Sequence, residues 1–330
     1  MKFFFLSFFL DFNNVESQTL EKQLFNACEN GYKAIVKLLS KDKNIDINKA
    51  NNNGQTPLFI ACENGQIEIV KLLINDKRVD INKISRNQLT PFWIVCEKGY
   101  IEIVKLLLDD ERVDINKPNN EGKTPLFIVC QNGQIEIATL LLGDNRVKVN
   151  DSGESGTPLL ISCSQGHIEL VKLLLDDERI DFNKVNGIGA SPFYVACENG
   201  KIEIIKILLN DKRVDINKAN NHGTLPFLIA CFKQHIEVVK LLLKDKKVDI
   251  NKPTKTGTTS LHIACLGDIR IVELILINGR GVNLNSKNNE GKTAIDIARE
   301  KGKTSIFELL ESFEKNPNET RTILIMRLGK

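Results

Sequence analysis

The stretch PLFIACENGQ at residues 57–66 decides how this chain folds, because it recurs along the sequence with small changes. PFYVACENGK occupies residues 192–201, and LFNACENG occupies residues 24–31. Each copy contains a cysteine, and the eight cysteines of the chain are spaced 34, 34, 34, 33, 34, 34 and 34 residues apart. A fixed period of about 20–50 residues indicates a repeat architecture.

A single unit predicts two short helices and a loop. Thr56 and Pro57 are typical of a helix start, because the hydroxyl can accept a backbone N–H bond and proline suits the first helical position. Gly65 ends that helix, and IEIVKLL from Ile67 onward has the apolar spacing of a second helix. A polar loop ending in VDIN or a variant completes the unit. Such a helix pair buries too little apolar surface alone, so stacking of units is expected.

These motifs resemble the ankyrin repeat, whose unit of about 33 residues carries a T-P-L-H-x-A core. The resemblance covers residues 20–312 and nine units. It implies an all-α solenoid of helix–turn–helix units, joined by β-hairpin-like loops into a curved stack.

The units differ from the family pattern in two ways. They are 34 residues long, and the extra residue falls in the DKRVDIN segment. The family's histidine is present only as His262. At the other equivalent positions we expect apolar packing to replace its hydrogen bonds; these residues are Phe59, Trp93, Phe127, Leu160, Tyr194, Leu228 and Asp296.

We predict three segments: a Phe-rich N-terminal segment at 1–19, an array of nine repeats with capping terminal repeats at 20–314, and a helical tail at 315–330. The apolar run at 3–10 follows a lysine, as in a secretory signal, but no small-residue cleavage site follows it. An additional capping helix and an artefact of the gene start are the alternatives.

The tail has the signals of one more helix, with Asn316 as its cap and Pro317 in the first position. We favour packing of its apolar residues on the last repeat over docking of a partner, because an apolar stripe facing water is unusual. These residues are Ile323, Leu324, Met326 and Leu328.

Three irregularities interrupt the repeats. The connection at residues 150–157 is one residue short. Gln234 replaces the glycine between the helices of the seventh unit, and the eighth unit is one residue short at CLGDI, residues 265–269. A local bend, a binding spot and neutral drift all remain open.

The cysteines have the spacing of buried structural residues. Equivalent residues in neighbouring repeats lie about 8–10 Å apart, the distance between packed helices, whereas a disulfide requires Cα atoms within about 7 Å. No C-x-x-C motif is present, and single thiols one repeat apart cannot form a tetrahedral zinc shell. We expect each cysteine to pack as a small hydrophobe. Unpaired thiols favour a reducing compartment, so we predict a cytoplasmic location; secretion is the alternative if the N-terminal segment is a signal peptide.

Composition narrows the class of function. The net charge of +3 is evenly distributed, unlike the basic stripe of nucleic-acid-binding proteins. No apolar run reaches the ~20 residues of a membrane-spanning helix. No catalytic constellation is present, so we expect neither enzymatic activity nor a cofactor or metal.

The resemblance implies binding of other proteins through the loop tips and the inner, concave face of the first helices. The predicted contact residues are Asn52, Asn53, Gln55, Glu63, Asn64, Arg86, Asn87, Glu97, Lys98, Asn120, Glu121, Lys123, Gln131, Asn132, Glu198, Asn199, Asn221, His222, Phe232, Lys233, Lys255 and Glu290. Turn formation is the competing interpretation for many of the asparagines. Phe232 is the one aromatic residue that we expect to be exposed.

We therefore predict a monomeric, non-catalytic scaffold or adaptor that binds partner proteins. The alternatives are a stoichiometric inhibitor or assembly factor of one enzyme, and a secreted effector.

Overall fold

Nineteen helices make up the secondary structure of the residues that the computed structural model describes, which are 19–151, 153–278 and 280–328. The predicted Phe-rich segment lies outside them, apart from Thr19. The first helices of the nine repeats are Leu20–Glu29, Pro57–Glu63, Pro91–Lys98, Pro125–Gln131, Pro158–Gln165, Pro192–Glu198, Pro226–Phe232, Ser260–Ala264 and Ala294–Glu300. The second helices are Lys33–Leu39, Ile67–Ile74, Ile101–Leu108, Ile135–Leu142, Ile168–Leu175, Ile202–Asn210, Ile236–Lys244, Ile269–Asn278 and Thr304–Lys315, and a final helix spans Pro317–Leu328.

The chain divides after Pro158 into two compact units. In each unit, the first helix of a repeat packs against the first helix of the next, and second helices pack against second helices. This sequential packing of helix pairs confirms the predicted all-α repeat fold.

The helix starts follow the predicted capping chemistry. The Thr56 hydroxyl accepts a hydrogen bond from the Phe59 backbone N–H at 3.1 Å, and Thr90 and Ser191 cap their helices in the same way. The seventh repeat has Leu225 at this position and no side-chain cap, yet its helix still begins at Pro226. Proline already has the helical φ, and its missing N–H needs no partner there.

The two helices of a repeat bury different amounts of surface. All six residues from Pro57 to Cys62 are buried, so the first helix is covered on every side. The second helix buries an apolar stripe and exposes Glu68 and Lys71, whose charged atoms are 3.0 Å apart. This exposed i, i+3 pair is the arrangement that the repeated IEIVKLL motif predicts.

The asparagine of the VDIN segment joins neighbouring repeats. Asn82 Nδ2 donates to the Arg112 carbonyl at 2.7 Å, and Asn82 Oδ1 accepts from the Asp114 N–H at 2.8 Å. Val79 and Ile81 beside it are buried. The lengthened loop is therefore an ordered part of the interface between repeats. The same pair of bonds is made by Asn48, Asn116, Asn183 and Asn217.

An arginine in the same loop caps the preceding repeat. Arg112 Nη2 donates to Asp110 Oδ2 at 2.6 Å and to the Ile74 carbonyl, at the end of a second helix, at 2.7 Å. Carbonyls at a helix C-terminus lack helical partners, and a cation is favourable beside them. Hydrogen bonding to Arg112 also lowers the pKa of Asp110. Equivalent arginine–carbonyl bonds within the units are made by Arg78, Arg146 and Arg213.

The equivalents of His262 only partly follow the predicted apolar replacement. His262 Nε2 donates to the Lys292 carbonyl at 3.1 Å, and Trp93 Nε1 donates to the equivalent Lys123 carbonyl at 2.9 Å. The prediction is therefore wrong at Trp93, because the indole N–H occupies the place of the imidazole N–H. It is also wrong at two further positions. The Tyr194 hydroxyl accepts from Asn220 Nδ2 at 3.2 Å, and Asp296 forms a capping box with Thr293.

The irregularities of the seventh and eighth units compensate each other. Gln234 adopts a left-handed conformation with φ 61°, although it is not glycine. Its Nε2 donates to the Cys231 carbonyl at 2.8 Å, and its Oε1 accepts from the Asp268 N–H at 2.7 Å. The side chain thus fills the space beside the shortened turn of the eighth repeat, where a Cβ on Gly267 would overlap it.

The final helix packs on the second helices of repeats 8 and 9. Leu324 is buried, whereas Ile323 and Met326 are exposed, so packing on the array accounts for only part of the apolar stripe. The side chain of Leu328 lies outside the described residues. Arg327 Nη1 lies 3.3 Å from Oε1 of the buried Glu273 in repeat 8.

Replacement of Asn82 by alanine tests the link between repeats. We expect Asn82→Ala to lower the free energy of unfolding by about 1–2 kcal/mol, because two backbone groups lose their partners. Urea unfolding followed by circular dichroism measures this change. The matched control is Asn52→Ala, because the exposed Asn52 side chain makes no hydrogen bond to any described residue. Equal effects of the two substitutions would contradict the linking role.

Gln88 and Gln234 share a left-handed backbone conformation, but their replacement by glycine should change the free energy of unfolding in opposite directions. Gln88 has φ 59° at an exposed loop tip, without a side-chain partner among the described residues. We expect Gln88→Gly to raise the free energy of unfolding by about 0.5–1 kcal/mol by relieving left-handed strain. Gln234→Gly should lower it by about 1 kcal/mol, because the two lost hydrogen bonds outweigh the same relief. Thermal and urea unfolding distinguish these signs, and stabilisation by both substitutions would refute the role of the Gln234 side chain.

Candidate functional site

The loop tips are held by a side chain one position before the predicted contact residues. Asn51 Oδ1 accepts from the Asn53 N–H at 2.9 Å and the Gln55 N–H at 3.0 Å. The same turn is formed by Asn119, Asn186, Asn220 and Asn288. Turn formation therefore explains the Asn51 position, while Asn52 and Asn53 are exposed.

Neighbouring tips are connected through their backbones. The Arg86 N–H donates to the Asn53 carbonyl at 2.9 Å, and the Lys255 N–H donates to the His222 carbonyl at 3.1 Å. These backbone bonds hold successive tips in register without creating a strand among the described residues. The tip side chains consequently form a row within each unit.

The ends of the first helices lie beside the loop tips. Gln55 Nε2 donates to Glu63 Oε2 at 3.2 Å, and Lys292 Nζ lies 2.7 Å from Glu300 Oε2. Glu63 and Glu300 occupy the position that follows the cysteine in the repeat pattern. We call the surface formed by the loop tips and the two positions after each cysteine the loop face.

The structure places the predicted contact residues on the loop face with different degrees of exposure. The half-buried ones are Gln55, Glu63, Glu97, Lys123, Gln131 and Glu198. The exposed ones are Asn52, Asn53, Asn64, Arg86, Asn87, Lys98, Asn120, Glu121, Asn132, Asn199, Asn221, His222, Phe232, Lys233, Lys255 and Glu290.

Some exposed asparagines also have structural partners. Asn64 Nδ2 donates to the Ile60 carbonyl at 2.9 Å, and Asn199 Nδ2 donates to the Val195 carbonyl at 2.8 Å. Asn221 Nδ2 donates to the Gly187 carbonyl in the preceding repeat at 3.1 Å. These amides stabilise helix ends and tips, so only part of each side chain is available to a ligand.

The position after the cysteine differs in character between the units. In the first unit it carries Glu29, Glu63, Glu97 and Gln131. In the second unit it includes two exposed apolar residues, Phe232 at 56% and Leu266 at 40% of their full accessible surface.

Leu266 was missed from the sequence because the shortened turn obscures its register. The prediction that Phe232 alone is exposed among the aromatics is wrong, since Tyr32 is 40% exposed.

The cysteines are free and buried, as their spacing predicts. Burial raises the pKa of the Cys28 and Cys265 thiols to about 12, and it also raises the pKa of Cys62, Cys96 and Cys197. A nucleophilic cysteine requires a thiolate and access to solvent. These thiols therefore have the properties of packing residues.

Other chemical groups are similarly dispersed. The described part of the chain contains no group of three or more histidine, cysteine, aspartate or glutamate residues that could hold a metal ion. A groove of about 420 Å³ in the second unit is lined by Ile202, His235 and Arg270 among others. His235 Nε2 lies 2.9 Å from the Glu198 carbonyl, so this imidazole is engaged in joining repeats. Of the described helices, none has the length and apolar character required to cross a membrane.

Thiol labelling tests the structural assignment of the cysteines. We expect the native protein to react with Ellman's reagent at about pH 8 far more slowly than the unfolded protein, because buried thiols are neutral and shielded. All eight thiols should react in denaturant. Absorbance measures how many thiols of the native protein react in the fast phase, and mass spectrometry identifies them. Rapid labelling of any one native cysteine would contradict this assignment.

Comparison with known proteins identifies one family. A family model described as ankyrin repeats (3 copies) matches residues 4–85, 77–152, 144–220 and 212–288. A search of curated proteins gave no match.

Proposed function

The chain belongs to the ankyrin repeat family, and from this premise we propose that it is a non-catalytic scaffold or adaptor that binds partner proteins through its loop face. Ankyrin repeats generally mediate protein–protein interactions. The proposal extends this general role to a particular surface of this chain.

The contrast between two exposed surfaces carries the proposal. On the second helices, an outward glutamate and lysine recur as Glu68–Lys71, Glu102–Lys105 and Glu203–Lys206. On the loop face, the position after the cysteine is glutamate in repeats 1, 2, 3, 6 and 9, and it is glutamine, serine, phenylalanine and leucine in repeats 4, 5, 7 and 8. The second-helix pair also changes in repeats 1, 4, 8 and 9, but never to a large apolar residue, whereas the loop-face position acquires the exposed Phe232 and Leu266. Recognition of a particular partner gives the loop face a reason to expose apolar side chains.

The backbone under the loop face supports binding as well. Asparagine-based turns and tip-to-tip hydrogen bonds fix the loops before a partner arrives. A preformed surface loses less conformational entropy on association than a mobile one. Because the eight cysteines are free, we propose a reducing compartment and therefore a cytoplasmic location. We also propose that the protein is a monomer.

Affinity capture in reducing buffer tests the proposed function. The wild-type protein should retain at least one specific partner that is lost after alanine substitution on the loop face. The substituted residues are Glu63, Glu97, Lys98, Gln131, Phe232 and Lys233. Quantitative mass spectrometry compares the captured proteins, and binding of the purified partner confirms a direct contact.

The second-helix surface provides a matched control for this experiment. A variant with the same number of alanine substitutions should keep the partner, because these exposed ion pairs lie outside the loop face. The control residues are Glu68, Lys71, Glu102, Lys105, Glu203 and Lys206. Loss of the partner from the control alone, or equal capture by all three proteins, would overturn the proposal. A single stoichiometric enzyme partner whose activity changes would identify the protein as an inhibitor or assembly factor instead.

A further inference from the structure

Phe232 and Leu266 form an apolar pair on the loop face of the second unit. They occupy equivalent positions in repeats 7 and 8, whose first helices pack against each other. The hydrogen bond from the Asp268 N–H to Gln234 Oε1, 2.7 Å long, joins the two turns directly beside the pair. The fold thus fixes the relative position of the two backbone segments that carry these side chains.

Short residues in the adjoining loops leave this pair uncovered. In repeats 2 and 9, Gln55 and Lys292 reach from the loop to the side chain after the cysteine position. Repeats 7 and 8 have Thr224 and Thr258 at the equivalent loop position. A threonine side chain is too short to span this gap. Both apolar residues therefore remain open to a ligand.

The charged residues on the loop face of repeats 7 and 8 are basic. The loop face of repeats 7 and 8 comprises residues 220–224, 232–233, 254–258 and 266–267, which contain His222, Lys233 and Lys255 but no aspartate or glutamate. Two acidic residues lie next to it: Glu198 of repeat 6, and Asp268, whose carboxylate pairs with Arg270. Lys233 Nζ is 3.9 Å from Glu198 Oε1 and 6.0 Å from the centre of the Phe232 ring. An exposed ion pair of this length contributes little, so Lys233 can exchange its partner at low cost.

We propose that Phe232 and Leu266 anchor an acidic segment of a partner protein, with an apolar side chain seated on the pair and flanking carboxylates facing Lys233 and Lys255. This inference rests on the proposed function and specifies the partner's chemistry. A large apolar anchor surrounded by complementary charge is a common arrangement at the centre of protein interfaces.

Selection from a random peptide library displayed on phage tests the inference with the full-length protein as bait. Enriched peptides should combine a large apolar residue with aspartate or glutamate. Phe232→Ser with Leu266→Ser should weaken a synthetic enriched peptide at least about tenfold in fluorescence anisotropy, through loss of the buried anchor. Lys233→Glu with Lys255→Glu should weaken it too, and most strongly at low salt.

Controls separate the site from general effects of substitution. Ile135→Ser replaces an isoleucine that is 47% exposed on a second helix of the first unit, and it should leave peptide binding unchanged. Absence of enrichment, enrichment of basic peptides, or binding that survives Phe232→Ser with Leu266→Ser would overturn the inference. So would a dimer, detected by analytical ultracentrifugation, that these two substitutions abolish, because a second copy would then cover the pair.

Failure of this inference can be distinguished from failure of the proposed function. If a captured partner tolerates Phe232→Ser with Leu266→Ser but is lost with Glu63, Glu97 and Gln131 changed to alanine, protein binding stands and the apolar site is overturned. If the partner tolerates every loop-face substitution, both proposals are overturned.

Discussion

Burial between neighbouring repeats is the constraint on which this structure depends. Second helices of repeats 2 to 7 are only eight or nine residues long, and isolated helices of that length are unstable in water. Each repeat completes its core only against the next one. Polar contacts also join neighbouring repeats, since Asn82 and Arg112 form hydrogen bonds with backbone groups of the adjacent repeat in the same unit. The choice of residue is restricted at positions that contact a neighbouring repeat, whereas positions on the loop face are free of this restriction.

The sequence predicts those features that depend on local spacing. The period, the Thr56–Pro57 helix start, the outward Glu68–Lys71 pair and the buried cysteines each follow from patterns within a few residues or one repeat. Contacts between two repeats depend on how far a side chain extends and in which direction, and the spacing of residues in the sequence does not give this information. The bond between Trp93 and the Lys123 carbonyl and that between Gln234 and Asp268 belong to this second group.

The candidate site was predictable in outline, because its position relative to the cysteine repeats along the chain. The structure shows side-chain roles that residue type alone leaves open. Asn51 and Asn52 are adjacent asparagines, yet the Asn51 amide forms the turn and the Asn52 side chain is exposed. Leu266 escaped prediction for a different reason, since a missing residue shifts its turn out of the common register. The identity of a partner depends on a second molecule, so its chemistry can be inferred only from the exposed surface.

Repeat 8 shows within this chain how a changed residue on a second helix can be explained by the element that contacts it. Its second helix has Arg270 and Glu273 where repeats 2, 3, 5, 6 and 7 have glutamate and lysine, so the charges are reversed. Glu273 is buried there, because the final helix packs against this helix and places Arg327 beside the carboxylate. The altered residue is thus explained by an element that contacts it. The change to Phe232 and Leu266 on the loop face has no such covering element among the described residues, and an external partner would give it the same physical explanation.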